Sequence, residues 1–151
     1  MDIERIILPS FTVIGREGST EDGPGFIQKL WADANTHFAE IESLVKRNER
    51  GVPVGFWGAM TDFSRSFLPW ENRFSDGLYL AGAECVDNAA PPAGWTKWSI
   101  PSFEYLKVEN ADFSAVLQYM EENNLSLAGA IHDFTDPATG KNYMLFPIQK
   151  F

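Results

Sequence analysis

The stretch Gly77–Cys85 reads GLYLAGAEC, and Glu84 is the residue in it able to do acid–base chemistry. Its companions are all apolar or small, as in a strand buried on both faces. An ionised carboxylate is costly to bury, so Glu84 is paired, shifted in pKa or turned towards a cavity. The apolar run favours the cavity. There the acid attracts a cation, or serves as general acid or base if its pKa is raised towards neutrality. The competing reading is a solvated strand-end acid paired with Lys107 or Arg73. Glu104, in SIPSFEYL, is a weaker version of the same idea. Alternation puts Ser102, Glu104 and Leu106 on one strand face and Phe103, Tyr105 and Lys107 on the other. Tyr105 is therefore a candidate hydrogen-bond donor or catalytic phenol, against the alternative of a structural tyrosine.

Trp57, Phe67, Trp70 and Trp98 are candidate ligand-binding walls. Aromatic faces suit flat molecules, and cation–π attraction adds roughly 0.5–2 kcal/mol for a charged one. Ordinary core packing is the alternative for each, and it is the preferred reading for Trp31 on a helical stripe. Cys85 follows an acid in an apolar strand, the wrong setting for a reactive thiol. Two separated histidines and one cysteine make no metal-ligand spacing, so neither metal nor cofactor is expected. The glycines at 15, 18, 23 and 25 form no phosphate-cradling pattern.

Charge narrows the partners. The 151 residues carry a net charge of −9, and the longest basic run is Lys46-Arg47. Nucleic acid and anionic membranes need clustered positive charge and are poor candidates, whereas neutral or cationic small molecules suit the field. The N-terminus, MDIERIILPSF, lacks the positive charge of a signal peptide, and no run approaches the ~20 apolar residues of a membrane span. A lone cysteine fits a reducing cytoplasm, the expected location. Oligomeric state is left open by the sequence.

The elements that must position these groups are written twice. PSF occurs at Pro9–Phe11 and Pro101–Phe103, and GAMTDF at Gly58–Phe63 is echoed by GAIHDF at Gly129–Phe134. In the first half a strand over about 6–17 precedes a helix beginning at Pro24 and running to Arg47, capped by Asp22. Its apolar residues Ile27, Leu30, Trp31, Ala34, Phe38, Ile41 and Val45 recur at helical steps. Strands over about 54–63 and 78–86 follow. The second half repeats the order with a strand over about 96–109, a helix capped by Asp112 and ended by Asn123-Asn124, and strands over about 127–134 and 143–149. DNAAPPAGW separates the repeats, about 6–86 and 96–151, within one domain over 1–151.

The fold class is therefore α+β, with tandem strand–helix–strand–strand units, antiparallel sheet, a pseudo-twofold and a ligand groove between the halves. Concave, mostly apolar seams of this kind are where small molecules bind. The halves differ in one connection. Ser64–Asp76, SRSFLPWENRFSD, replaces a short turn and carries four large apolar residues, so it is expected to fold over the groove as a lid.

The tandem units, the closing strand YMLFPIQ and the stretch WTKWSIPSFEYLKVE resemble the gyrase-inhibitor-like (GyrI-like) small-molecule-binding domains, which also serve as effector-binding domains of bacterial multidrug-responsive activators. FIQKLWADANTHF, GFWGAMTDFSRSFLPWENRFSDGLYLAGAE and GWTKWSIP resemble a free-standing bacterial subgroup, and the likeness spans nearly the whole chain. The resemblance implies an aromatic pocket with an acid at its floor for lipophilic, often cationic compounds. It also implies that some members hydrolyse cyclopropane-bearing cytotoxic natural products with a glutamate-oriented water. Glu84 is the position matched to that acid, with Trp57 and Trp70 as walls. Relatives often place an acid in the strand after the second helix, where this chain has IHDF, so Asp133 is the alternative. With few residues ahead of Ile6, the activators' DNA-binding role is not expected to transfer. Three functions follow as expectations: binding of lipophilic small molecules, hydrolysis in the same pocket, and protein interaction such as gyrase modulation.

Overall fold

The computed structural model describes residues 2–151. Two long bent strands organise it. The first comprises β1 (Ile3–Leu8) and β2 (Phe11–Ser19), the second β5 (Thr96–Ile100) and β6 (Phe103–Glu109). They run antiparallel in one unbroken register, with Leu8 opposite Phe103 and Phe11 opposite Ile100. The Pro-Ser steps of the two PSF motifs thus face each other at the bends. Proline has no N–H for the ladder, so the ladder breaks there. The Ser102 hydroxyl bridges the gap by donating to the Leu8 carbonyl at 2.7 Å.

The remaining strands are β3 (Phe56–Thr61), β4 (Leu78–Cys85), β7 (His132–Thr135) and β8 (Asn142–Lys150). All pairings are antiparallel, in the order β1-β6-β8-β7-β3-β4-β2-β5. Because β1 runs into β2 and β5 into β6, the two ends of that order are one ribbon, and the sheet closes into a ring. Each half supplies the same series, β2-β4-β3 and β6-β8-β7, meeting at β3–β7. Inside the ring Phe11, Trp57, Leu80, Trp98, Phe103 and Tyr105 pack as one cluster. Close approach of β2 and β4 requires their register partners Gly15 and Gly82. A Cβ on Gly82 would lie 2.1 Å from the Ile14 carbonyl oxygen.

The helices cover the outside. α1 (Phe26–Thr36) sets Ala34 against Ile14 and Ala83, and α3 (Phe113–Glu122) sets Val116 and Met120 against Leu106 and Phe146. The Asp112 carboxylate caps α3 by accepting from Ala115 N–H at 3.2 Å, and Asn124 ends it at φ 56°. The first helix is shorter than its apolar pattern suggests. It stops at Thr36, and two 3₁₀ turns, Phe38–Glu40 and Glu42–Leu44, carry the chain on. A 3₁₀ turn repeats every three residues, so Phe38 and Ile41 still reach the sheet and the spacing looks unchanged. Asp22 does not cap α1; it ends a separate 3₁₀ turn, Thr20–Asp22, capped by Ser19, and its carboxylate accepts back from Ser19 N–H at 2.8 Å. Strand β7 begins at His132, five residues later than the pattern indicates.

The segment 64–76 does not lie over the groove. Asp62 gathers it by accepting from Ser66 N–H at 3.1 Å and Leu68 N–H at 3.3 Å, while the Thr61 hydroxyl accepts from Phe67 N–H. Phe67 then meets Trp98 edge-on at 6.0 Å, and Phe74 in the single left-handed turn α2 (Glu71–Phe74) packs on Phe113. This segment plugs the Thr61–Leu78 end of the ring. The opposite end stays open.

Candidate functional site

At that open end, beside the bend at Pro9, lies a cavity of about 500 Å³. Both halves build it: Leu8 and Phe11 from the first long strand, Trp57 and Glu84 from β3 and β4, Phe134 from β7 and Lys107 from β6. Trp57 is held between Phe11 and Phe134, each ring centroid 4.6 Å away. Such a clamped indole forms a fixed wall.

Glu84 reaches the cavity because alternation along β4 sends Leu78 and Leu80 inwards and, past Gly82, Glu84 to the same side. Its side chain is 15% exposed. Oε1 accepts a hydrogen bond from the Trp57 indole N–H at 3.2 Å. Burial pushes its pKa up, while that bond and Lys46 pull it down. The Lys46 ammonium is mostly exposed and stands 3.9 Å from Oε2, too long and too solvated to neutralise the acid firmly. Lys107 is turned instead onto Tyr143, 4.3 Å from the ring centroid. The arrangement presents a shielded carboxylate beside aromatic surface, suited to hold a cation or to orient a water.

The other residues singled out from sequence are dispersed. Trp98 is core, its indole N–H donating at 2.8 Å to Glu17, which Arg65 grips through two bonds of 2.8 and 2.7 Å. Phe67 belongs to the plug. Trp70 lies across Gly77 and lines a separate apolar cavity of about 330 Å³ with Phe74 and Phe113. Tyr105 is fully buried inside the ring, and its hydroxyl has no partner among the described residues. Nearby His132 accepts from Met60 N–H through Nδ1 at 3.0 Å, leaving its proton on Nε2, and burial drives its pKa down to about 3. Glu104 is half-buried on the outward face of β6, opposite Ile7. Asp133 lines a third cavity on the outside of the ring, where burial pushes its pKa up to about 6. Cys85 is buried against the helix layer, and burial raises its thiol to about 11, in keeping with a packing role. Trp31 is no core residue; it is half-buried and lines two outer cavities.

Sequence reasoning passed over Phe11 and Phe134 as site residues. Both are the terminal phenylalanines of the repeated motifs PSF and GA-x-x-DF, and that recurrence was the available signal. Lys46 and Lys107 carried none.

No protein-family model matches the sequence. No curated protein matches it either. Solved structures do. The protein SAV2435, solved bound to tetraphenylphosphonium, is 17% identical with a TM-score of 0.59, covering 99% of this chain and 94% of that one. The protein EcmrR, solved in a complex with DNA, is 11% identical with a TM-score of 0.66; the match covers 99% of this chain but 58% of EcmrR. A hydrolase from Listeria innocua is 15% identical with a TM-score of 0.51, covering 98% and 92%. The fold is thus one that SAV2435, EcmrR and the Listeria innocua hydrolase have in common, and this chain has it over nearly its whole length.

Proposed function

We propose that the chain is a GyrI-like receptor for lipophilic aromatic compounds, cationic ones above all, and that it sequesters them in the Glu84 cavity. The observation that carries this reading is the Trp57–Glu84 pair. A shielded carboxylate beside a fixed indole, at a seam to which both halves contribute, offers stacking and charge at one place. The tetraphenylphosphonium held by SAV2435 supports the same ligand class. Among the described residues no helix is long and apolar enough to cross a membrane. Glu84 and Trp57 are the central binding groups, with Phe11 and Phe134 as flanking walls. Titration with tetraphenylphosphonium should quench tryptophan fluorescence saturably, and Glu84→Gln should weaken binding about tenfold. Absence of quenching, or equal affinity in the variant, would refute the reading.

A second reading keeps the pocket and adds chemistry on a cyclopropane conjugated to a carbonyl: Glu84 orients a water and takes its proton as the water oxygen bonds a ring carbon. The ring C–C bond breaks, and its electron pair passes to the carbonyl oxygen, which is then protonated. The raised pKa of Glu84 favours it, since a base poised nearer neutrality transfers protons more efficiently. Likeness in fold to the Listeria innocua hydrolase lends support. Mass spectrometry after incubation with a cyclopropane-bearing alkylator decides the matter. Catalytic ring-opened product, lost in Glu84→Gln while the variant still binds an uncharged alkylator, is the expected result; the tenfold loss of affinity is expected for the cation alone.

A further inference from the structure

The open cavity has a positive side as well as a negative one. Alternation along β6 places Lys107 on the inward face with Phe103 and Tyr105, and its register partner on β8 is Leu145, another cavity residue. The lysine is half-buried. Its Nζ stands 4.3 Å from the Tyr143 ring centroid and 5.6 Å from that of Phe134. Among the described residues no carboxylate pairs with it, although the chain has 21 acids to 12 lysines and arginines. Glu4, its register partner on β1, is exposed and forms no ion pair with it. The ring faces attract the ammonium but leave its N–H donors without an acceptor in the protein.

These groups stand in an order. Lys107 lies over Phe134, Phe134 packs on Trp57 at 4.6 Å between centroids, and the Trp57 indole N–H reaches Glu84 at 3.2 Å. One continuous aromatic wall thus ends in an ammonium on β6 and a carboxylate on β4. We propose that this cavity selects aromatic zwitterions: the ligand's ammonium pairs with Glu84, its ring lies against Trp57 and Phe134, and its carboxylate pairs with Lys107. The inference rests on the receptor reading of the Glu84 cavity and names the ligand class that the cavity prefers. Lys46, mostly exposed and 3.9 Å from Glu84, gives way to the ligand's cation at little cost. A ligand with a cation alone leaves Lys107 unpaired and is repelled by it. One with an anion alone meets a net charge of −9. A zwitterion avoids both penalties.

Calorimetric titration with para-(trimethylammoniomethyl)benzoate, a rigid zwitterion, and with its methyl ester, a cation of similar shape, tests this. The parent should bind the zwitterion about tenfold more tightly than the ester. Lys107→Met, which keeps the apolar stem, should abolish that preference while binding the ester more tightly than the parent does. Lys107→Arg should retain the preference, and Lys107→Gln replaces the methionine variant if that one fails to fold. Equal affinities in the parent, a preference that survives in Lys107→Met, or an ester affinity that falls together with that of the zwitterion overturns the proposal. Tetraphenylphosphonium, titrated alongside, separates the two readings. If it binds through Glu84 while the zwitterion gains nothing over the ester, the inference fails and the receptor stands. If neither cation responds to Glu84→Gln, the Glu84 reading fails and the inference falls with it.

Discussion

The Trp57 indole N–H donates to Glu84 Oε1 across neighbouring strands, joining the aromatic wall of the cavity to its acid at 3.2 Å. Glu84 lies diagonally from Trp57, whose direct partner on β4 is Gly82. The glycine gives the indole room to lean towards the carboxylate. Replacement of Glu84 should therefore separate two effects. Glu84→Gln keeps an acceptor and should melt within about 0.5 kcal/mol of the parent. Glu84→Ala orphans a buried indole N–H and should cost about 1–3 kcal/mol. Urea melts of both variants check this; equal stabilities would mean the bond is absent in solution.

Stability should respond to pH through two buried groups of opposite sign. Asp133 has its folded pKa raised to about 6, so its cost to folding is fully present above pH 6 and is relieved as pH falls towards 4. His132, depressed to about 3, stays neutral when folded, so stability is lost as pH falls from about 6.5 and the unfolded chain takes up a proton. The two offset each other between pH 4 and 6. Asp133→Asn removes the first alone. The variant should gain on the order of 1–3 kcal/mol at pH 8 and then lose stability steadily below pH 6.5. A parent-like pH profile in the variant contradicts the assignment.

Asp62 should control the plug. Burial alone would raise its pKa, but hydrogen bonds from Ser64, Leu68, Ser66 and Thr61 outweigh this and hold it below the usual value. Asp62→Ala strands those donors and should cost about 2–4 kcal/mol. Limited proteolysis should then cut within 64–68, where the parent resists. Unchanged protection would show that Phe67 alone fastens the segment.

Tyr105 offers a test of structure against chemistry. Its hydroxyl is buried without a partner, so Tyr105→Phe should be neutral or stabilising by about 1 kcal/mol. Ligand affinity at Trp57 should stay the same. A loss of turnover on a cyclopropane substrate, with melting unchanged, would instead assign the phenol to catalysis.

Much of this architecture can be read directly from the chain. The paired motifs PSF and GA-x-x-DF announce two similar units, and an acid in an apolar strand announces a cavity. Alternation correctly sorts Tyr105 from Glu104 because side-chain direction in a strand is a local property. The end of α1 at Thr36 escapes the pattern, since 3₁₀ and α turns present the same apolar face at three- and four-residue steps. The plug escapes it as well. Composition shows that Phe67, Trp70 and Phe74 must be covered, but which end of the ring they cover depends on the Asp62 turn.

What the sequence determines by itself is thus the set of strands and helices, their duplication and the inward side of each strand. Only the tertiary structure decides that the two long strands share one register and close the sheet. Closure puts Phe11, Trp57, Glu84 and Phe134 around one cavity and sends Asp133 to another. The physical reason is range: periodicity records which face of an element avoids water, whereas strand pairing records contacts between residues dozens of positions apart, which no local pattern encodes.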